Sequence, residues 1–351
     1  MDQATMNRNS MGTRTLGPTD VMHKKAELIL AGTLVLHDSV KLPFPLSKST
    51  AGPGAGQTSI MIGFQGTRVK LQASRDCGDS PFMVRSDQGY SITKFGRTFL
   101  DNVDIIPIKI HAPNQAFINI DATCRFGCLF CSSPDIANYV RPSNDWWIER
   151  IITAANEGSI ESIAITSGIP TSIEDTIEDF IAIMDGVRDL GLPIGVEPYV
   201  DDIKYIDRLW EGGASELKLN IQSMDRGIFD IMCPHLEFDI ILKMLSYGVT
   251  KFGKNRVSSN IIIGVGETDD NVVRGLETLA GLGVAGVLRT LHLHSTNKER
   301  LHKRLNIQPL TKERLLYLHK EQTRIFLEHG LETERFKTMC FPCKGCDLEI
   351  L

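Results

Sequence analysis

The chain has 351 residues, 42% of them apolar and 23% charged, enough to build one large folded unit or two smaller ones. A net charge of −5 argues against the basic surface that nucleic-acid or anionic-membrane binding requires. No apolar run approaches the roughly eighteen residues of a membrane span, and the opening residues lack a signal-peptide core, so the expected location is cytoplasmic. Thiols stay reduced there, and six of the eight cysteines fall into two tight trios, a clustering that favours metal ligands over disulfides.

In chain order, residues 1–57 are read as a helical stretch, "DVMHKKAELILAGTLVL", followed by a Pro/Gly-rich loop, "KLPFPLSKSTAGPGAG". The Gly-rich end lacks the Lys-Ser/Thr of a phosphate-binding loop and is taken as plain loop. Residues 58–113 alternate the runs "TSIMIGF", "RVKLQAS", "FMVRS" and "DIIPIKIH" with turn residues, which predicts a small β-rich domain. From 114 to 295 apolar strand-like runs alternate with amphipathic helical ones. The strand candidates are "AFINID", "SIAITSG", "IGVEPYV", "ELKLNIQ", "VSSNIIIGVG" and "GVLRTLHLH". In the helix "NDWWIERIITAANEG" the predicted core face is Ile148, Ile151, Ile152 and Ala155, with Gly158 as the stop. In "TDDNVVRGLETLAGLG" it is Val272, Leu276, Leu279 and Ala280, with Thr268 as N-cap and Gly283 as the stop. Six such units in succession predict an α/β fold, a partial (β/α)6 TIM-type barrel. Residues 296–351 add a helix from Thr311 to Gly330 and a cysteine-bearing tail.

Chemistry on a parallel α/β barrel gathers at the carboxyl ends of its strands. The first barrel strand, "AFINID", runs directly into "ATCRFGCLFCSSP", whose spacing is Cys124-x3-Cys128-x2-Cys131. Three thiolates on one short loop can hold three irons of a cubane and leave the fourth open. A closed zinc site or a ferredoxin cluster needs a fourth ligand, and none follows in the next residues.

This CxxxCxxC loop after a first barrel strand resembles the radical S-adenosylmethionine (SAM) superfamily. Phe130 stands where that family prefers an aromatic residue. The resemblance implies a 4Fe–4S cluster on Cys124, Cys128 and Cys131, whose open iron binds SAM and cleaves it to a 5′-deoxyadenosyl radical. Further segments are similar to the biotin and lipoyl synthases of that family. "ITSGIP" would hold the methionine amino group through Thr166, Ser167 and Gly168. "LKLNIQS" would turn Asn220 and Gln222, two apart and on one strand face, toward the ribose hydroxyls. "IIIGVGETDD" would let the backbone at Gly264 and Gly266 approach the adenine. Glu197 is a further candidate for the charged end of the cofactor. The resemblance covers roughly 114–295, and an ordinary barrel-interior polar pair remains the alternative for Asn220 and Gln222.

The tail, "MCFPCKGCDLEIL", carries Cys340-x2-Cys343-x2-Cys346, the first three positions of a ferredoxin-type run without the fourth. A second 4Fe–4S cluster, a zinc ion with a distant ligand, or spare thiols remain open. Cys77, a histidine, a sulfide or a substrate atom could complete a cluster, and Cys233 is left unassigned. Arg289, His292 and His294 on the sixth strand are candidates to ligate a cluster or grip a carboxylate. The basic stretch from "NKERLHKRLN" to "HKEQTRIF" could dock an acidic octanoyl-bearing carrier protein, or be a solvated helix face.

The resemblance then implies sulfur insertion into unactivated C–H bonds, with the tail cluster as sulfur donor, in the manner of a divergent two-protein lipoyl synthase. A ferredoxin- or flavodoxin-type reductant, anaerobic operation and a partner radical SAM protein go with it. A radical dehydrogenase or maturation enzyme with an electron-relay cluster is the alternative. A two-cluster electron carrier is the non-enzymatic one.

Overall fold

Gly32 sets the first boundary. The expected single helix over 20–36 is instead helix α1 (Pro18–Ala31) followed by strand β1 (Thr33–Leu36). Gly32 adopts φ 66° and returns its N–H to the Leu28 carbonyl, ending the helix, and the "TLVL" run continues as a buried strand. The computed structural model describes residues 16–49, 56–76, 80–86, 89–132, 139–294 and 297–349.

Strands β1, β2 (Ser47–Lys48), β3 (Thr58–Phe64), β4 (Thr67–Ser74), β5 (Phe82–Ser86), β6 (Gly89–Lys94) and β7 (Arg97–Ile106) form one sheet in the order β2-β3-β4-β1-β5-β6-β7. β7 also pairs with β3, so the sheet closes on itself as a small barrel. Closure pairs β7 with β3 and leaves only the two-residue β2 as an edge strand. β1 runs parallel to β4 and β5, and the other pairings are antiparallel. The sheet therefore recruits strands from ahead of residue 58, and the "PIKIH" end of the last predicted run falls outside it. Alternation on β4 sends Val69 and Leu71 to the buried side and leaves Lys70 on the other face, opposite Met61 of β3.

The second sheet is entirely parallel and sequential: β8 (Gln115–Asn119), β9 (Ser162–Thr166), β10 (Ile194–Glu197), β11 (Glu216–Lys218), β12 (Val257–Ile263) and β13 (Ala285–Thr290). Helices α2 (Asn144–Asn156), α3 (Ile173–Val187), α4 (Ile203–Glu211), α5 (Arg226–Met232), α6 (Phe238–Phe252) and α7 (Asp269–Gly281) connect the strands. This is the expected half-barrel. α7 buries the four predicted residues, is capped by the Thr268 hydroxyl accepting from Asn271 N, and is followed by Gly283 at φ 85°. On α2 the buried residues are Trp147, Ile151 and Ala154; of the predicted face Ile151 is fully buried, and Ile148 and Ala155 are partly buried against the core.

After β13 come α8 (Lys298–His302), α9 (Lys312–Glu328, capped by Thr311) and the single turn α10 (Cys340–Cys343). The segment between α9 and α10 plugs the amino-terminal end of the half-barrel. Glu216, at the start of β11 and 2% exposed, accepts from the backbone N–H groups of Lys337 (2.6 Å) and Thr338 (3.0 Å) and from the Thr338 hydroxyl (2.6 Å). Gln115, at the start of β8, accepts from Met339 N (2.6 Å) and donates to Met339 O (3.1 Å). Gly195 of β10 makes room: a Cβ there would lie 2.0 Å from the Thr338 hydroxyl. The Met339 side chain completes the barrel interior with Phe117 and Ala164.

Candidate active site

The loop after β8 carries Cys124, Cys128 and Cys131, and its backbone is held from all sides. Asp121 accepts from Thr123 N (2.8 Å) and the Thr123 hydroxyl (2.7 Å), while Arg125 N donates to Ile169 O (2.8 Å). Leu129 N donates to Met232 O (2.8 Å). From beyond β13, Asn297 donates to the Phe130 carbonyl (2.9 Å), and Arg300 donates to the carbonyls of Leu129 (2.7 Å) and Cys131. Gly168 comes so close that a Cβ would sit 2.1 Å from Thr123 O and 3.1 Å from Cys124 Cβ, so the "TSG" segment and the cysteine loop form one surface. Cys233 is fully buried next to Cys128. Its thiol hydrogen bond, outweighing burial, lowers the Cys128 pKa and so favours a thiolate.

Thr166, Ser167, Gly168, Glu197, Asn220 and Gln222 join Phe130 and the three cysteines in lining a single cavity of about 410 Å³. Asn220 donates to Glu197 (2.6 Å) and accepts from Asn260 N (3.0 Å); the Thr166 hydroxyl donates to the Glu197 carbonyl (3.1 Å). Gln222 sits at φ 64°, bridged to β12 on both sides through Asn260 O and Ile262 N. Among the described residues, the side-chain oxygens of Asn119 and Asn260 are buried on this wall with no protein donor. A buried acceptor of that kind is costly unless a ligand or an ordered water in the cavity supplies the donor.

Gly264 and Gly266 do not line this cavity. Both have positive φ, 96° and 107°, and the chain around Asn306 and Gln308 packs on them, 2.9 Å from where a Gly266 Cβ would stand. The Glu267 carboxylate binds the N–H groups of Gly264 and Val265 at 2.8 Å each and is paired with Arg314. His292 lines the cavity with its ring against Gly32, and burial followed by the nearby Arg289 lowers its pKa. His294 follows β13 without reaching the wall. Cys77 lies outside the described residues. In the basic stretch, Arg314 and Arg324 are engaged by acidic side chains of the chain itself.

The tail trio opens on the same cavity through Cys340 and Cys346. Lys218, 2% exposed, donates to Cys340 Sγ (3.1 Å) and stands 3.5 Å from Glu197. Burial alone would lower its pKa, but Cys340 and Glu197 outweigh burial and raise it. Arg289 pairs with Asp347 at 2.6 Å, directly after Cys346. Lys70 also lines the cavity. Its ammonium donates to the His111 carbonyl (2.7 Å), and its backbone N–H donates to Gly345 O (2.7 Å). Burial raises the Cys340 pKa and, with Cys346, lifts Cys343 to about 11, so a metal binding these two thiols works against that shift.

Sequence reasoning missed Lys70, Lys218, Asn119, Asn260, Asn297 and Arg300. Lys218 was within reach, since it lies two residues before Asn220 and alternation puts Lys218, Asn220 and Gln222 on one face.

Residues 118–279 match the family model of the radical SAM superfamily. The chain carries a radical SAM domain. It is 26% identical over 206 residues to a lipoyl synthase of Picrophilus torridus, covering 54% of this chain and 70% of that protein. It is 24% identical over 156 residues to a probable GTP 3′,8-cyclase of Pyrococcus horikoshii, covering 44% of this chain and 48% of that one. The fold is similar to that of the FeFe-hydrogenase maturase HydG from Carboxydothermus hydrogenoformans, with a TM-score of 0.51 and 15% identity over 62% of this chain and 53% of that one.

A radical SAM domain works with a 4Fe–4S cluster and SAM, and the residues present fit both. Cys124, Cys128 and Cys131 stand on one short loop as free thiols, each able to ligate a separate iron of a cubane. The donorless Asn119 and Asn260 oxygens and the Glu197 carboxylate suit the ammonium and hydroxyl groups of SAM. Among the described residues, no helix is long and apolar enough to cross a membrane.

Proposed function

We propose that this radical SAM enzyme inserts sulfur into unactivated C–H bonds of an octanoyl-type chain, with Cys340, Cys343 and Cys346 holding an auxiliary 4Fe–4S cluster as the sulfur donor. One observation carries the reading: both cysteine trios open on one cavity. A centre that only relays electrons can sit behind protein, whereas a donor of atoms must touch the carbon it modifies. The likeness to the lipoyl synthase and the "LKLNIQS" and "GVGETDD" segments support the same subgroup.

When bound at Cys124, Cys128 and Cys131, the catalytic cluster with SAM supplies a radical able to take hydrogen from an unactivated carbon. The chain's own residues do the rest. Glu197, Asn220 and the "TSG" segment orient the nucleoside and its amino group. Phe130, Ile169, Tyr199 and Leu236 line the cavity with apolar surface that accepts an alkyl chain and excludes water. Lys218 holds Cys340 next to Glu197. A ferredoxin- or flavodoxin-type reductant, an octanoyl-bearing carrier protein and a partner radical SAM protein complete the proposal.

The test is anaerobic reconstitution, then a single turnover with dithionite, SAM and an octanoylated carrier peptide. Sulfur insertion gives a peptide heavier by sulfur and consumes cluster sulfide. Deoxyadenosine with an unaltered peptide and undiminished sulfide contradicts it and favours the electron-relay alternative, a dehydrogenase or maturation enzyme. No deoxyadenosine at all would leave only an electron carrier.

A further inference from the structure

The tail trio is enclosed by cations from both halves of the molecule, and their pairing is unequal. Arg289 has Asp347 at 2.6 Å, and Lys218 has Glu197 at 3.5 Å besides the Cys340 sulfur. Lys70 makes no ion pair among the described residues; its ammonium has only the His111 carbonyl, a neutral acceptor. Yet it lines the same cavity as Cys340 and Cys346. Its strand is pinned to the tail by the Lys70 N–H to Gly345 O bond, and a Cβ on Gly345 would lie 3.2 Å from Lys70 Cβ and 3.4 Å from Cys343 Sγ. A cation held in a protein interior needs an anion near it. Leaving the cysteines aside, the three cations face two carboxylates, and Lys70 is the cation without one.

We propose that Lys70, from the small closed barrel, is the counter-charge to an anionic iron–sulfur cluster on Cys340, Cys343 and Cys346, which makes that barrel a working wall of the tail centre. This rests on the second cluster proposed above. Lys70 acts as a positioning residue through the field it places on the cluster. A positive charge beside a cluster favours its reduced form, so Lys70 raises the reduction potential and tightens retention of the cluster. The role falls outside the region that resembles the biotin and lipoyl synthases, because Lys70 belongs to the preceding strands.

The experiment uses the full chain with Cys124, Cys128 and Cys131 replaced by alanine, so that only the tail centre reports. Iron and sulfide are counted after anaerobic reconstitution, and the cluster is titrated potentiometrically by electron paramagnetic resonance. Lys70→Met is expected to shift the midpoint to more negative potential, and Lys70→Arg to return it to the parent value. Lys70→Gln keeps a donor for the His111 carbonyl without the charge, and carries the test if the Met variant does not fold. A neutral variant that keeps its iron and titrates at the parent potential overturns the role of Lys70. A parent protein that binds no iron overturns the second cluster and Lys70's role together, and the count tells that failure from the first.

Discussion

The two cysteine trios reach one cavity from opposite ends of the half-barrel, and the chain holds them in opposite ways. The first sits on a short loop at the carboxyl ends of the strands, fixed almost wholly through its backbone by Asp121, Met232, Asn297 and Arg300. The second enters at the amino-terminal end, fixed by buried polar side chains at strand starts, Gln115 and Glu216, and by cations from two sheets. Lys25, 1% exposed, ties the far end through Lys344 O (2.8 Å) and Glu349 (3.1 Å). A backbone-held loop keeps its shape through many side-chain changes. A trio hung on a few buried charges depends on each of them, since leaving one unpaired in the interior costs about 3–5 kcal/mol.

The largest expected effect breaks the comparison at its catalytic end. Cys128→Ala removes deoxyadenosine formation altogether and takes iron from about eight to about four per chain, the tail cluster remaining. Equal loss of both clusters would mean that the two sites are not independent. Next comes the support of the tail. Glu216→Ala leaves the N–H groups of Lys337 and Thr338 and the Thr338 hydroxyl without their acceptor and costs roughly 1.5–3 kcal/mol per charged hydrogen bond lost. Limited proteolysis should then release the tail and its iron, while SAM cleavage at the other trio persists. The smallest effect is a control on the scaffold. Thr268→Ala removes the cap of α7 and lowers stability by about 1 kcal/mol in thermal unfolding, with both iron contents unchanged.

The same contrast explains what could be read in advance. The half-barrel and the first trio were legible because both are local: six alternating runs, and three cysteines within eight residues at a strand end. Asn220 and Glu197 were legible through alternation and strand ends, and the structure joins them at 2.6 Å. The seat of the tail was not legible, because it depends on Gln115, Gly195 and Glu216, more than a hundred residues upstream. A buried Glu at the start of a strand leaves no mark on hydrophobic periodicity. Closure of the first sheet was equally hidden, since the β3–β7 pairing is long-range, and the apolar run across Gly32 masked the end of α1. Gly264 and Gly266 show the limit of a motif: they were read as open to a nucleotide, but the surface they offer is covered by the chain at 306–308.

The most direct measurement replaces Cys340, Cys343 and Cys346 together by alanine and follows two products of one anaerobic turnover. If both trios serve one cavity with different tasks, the variant keeps about four irons, still cleaves SAM to deoxyadenosine, and yields no sulfur-bearing peptide. A variant that makes that peptide as well as the parent, or keeps all of the parent's iron, would contradict the account.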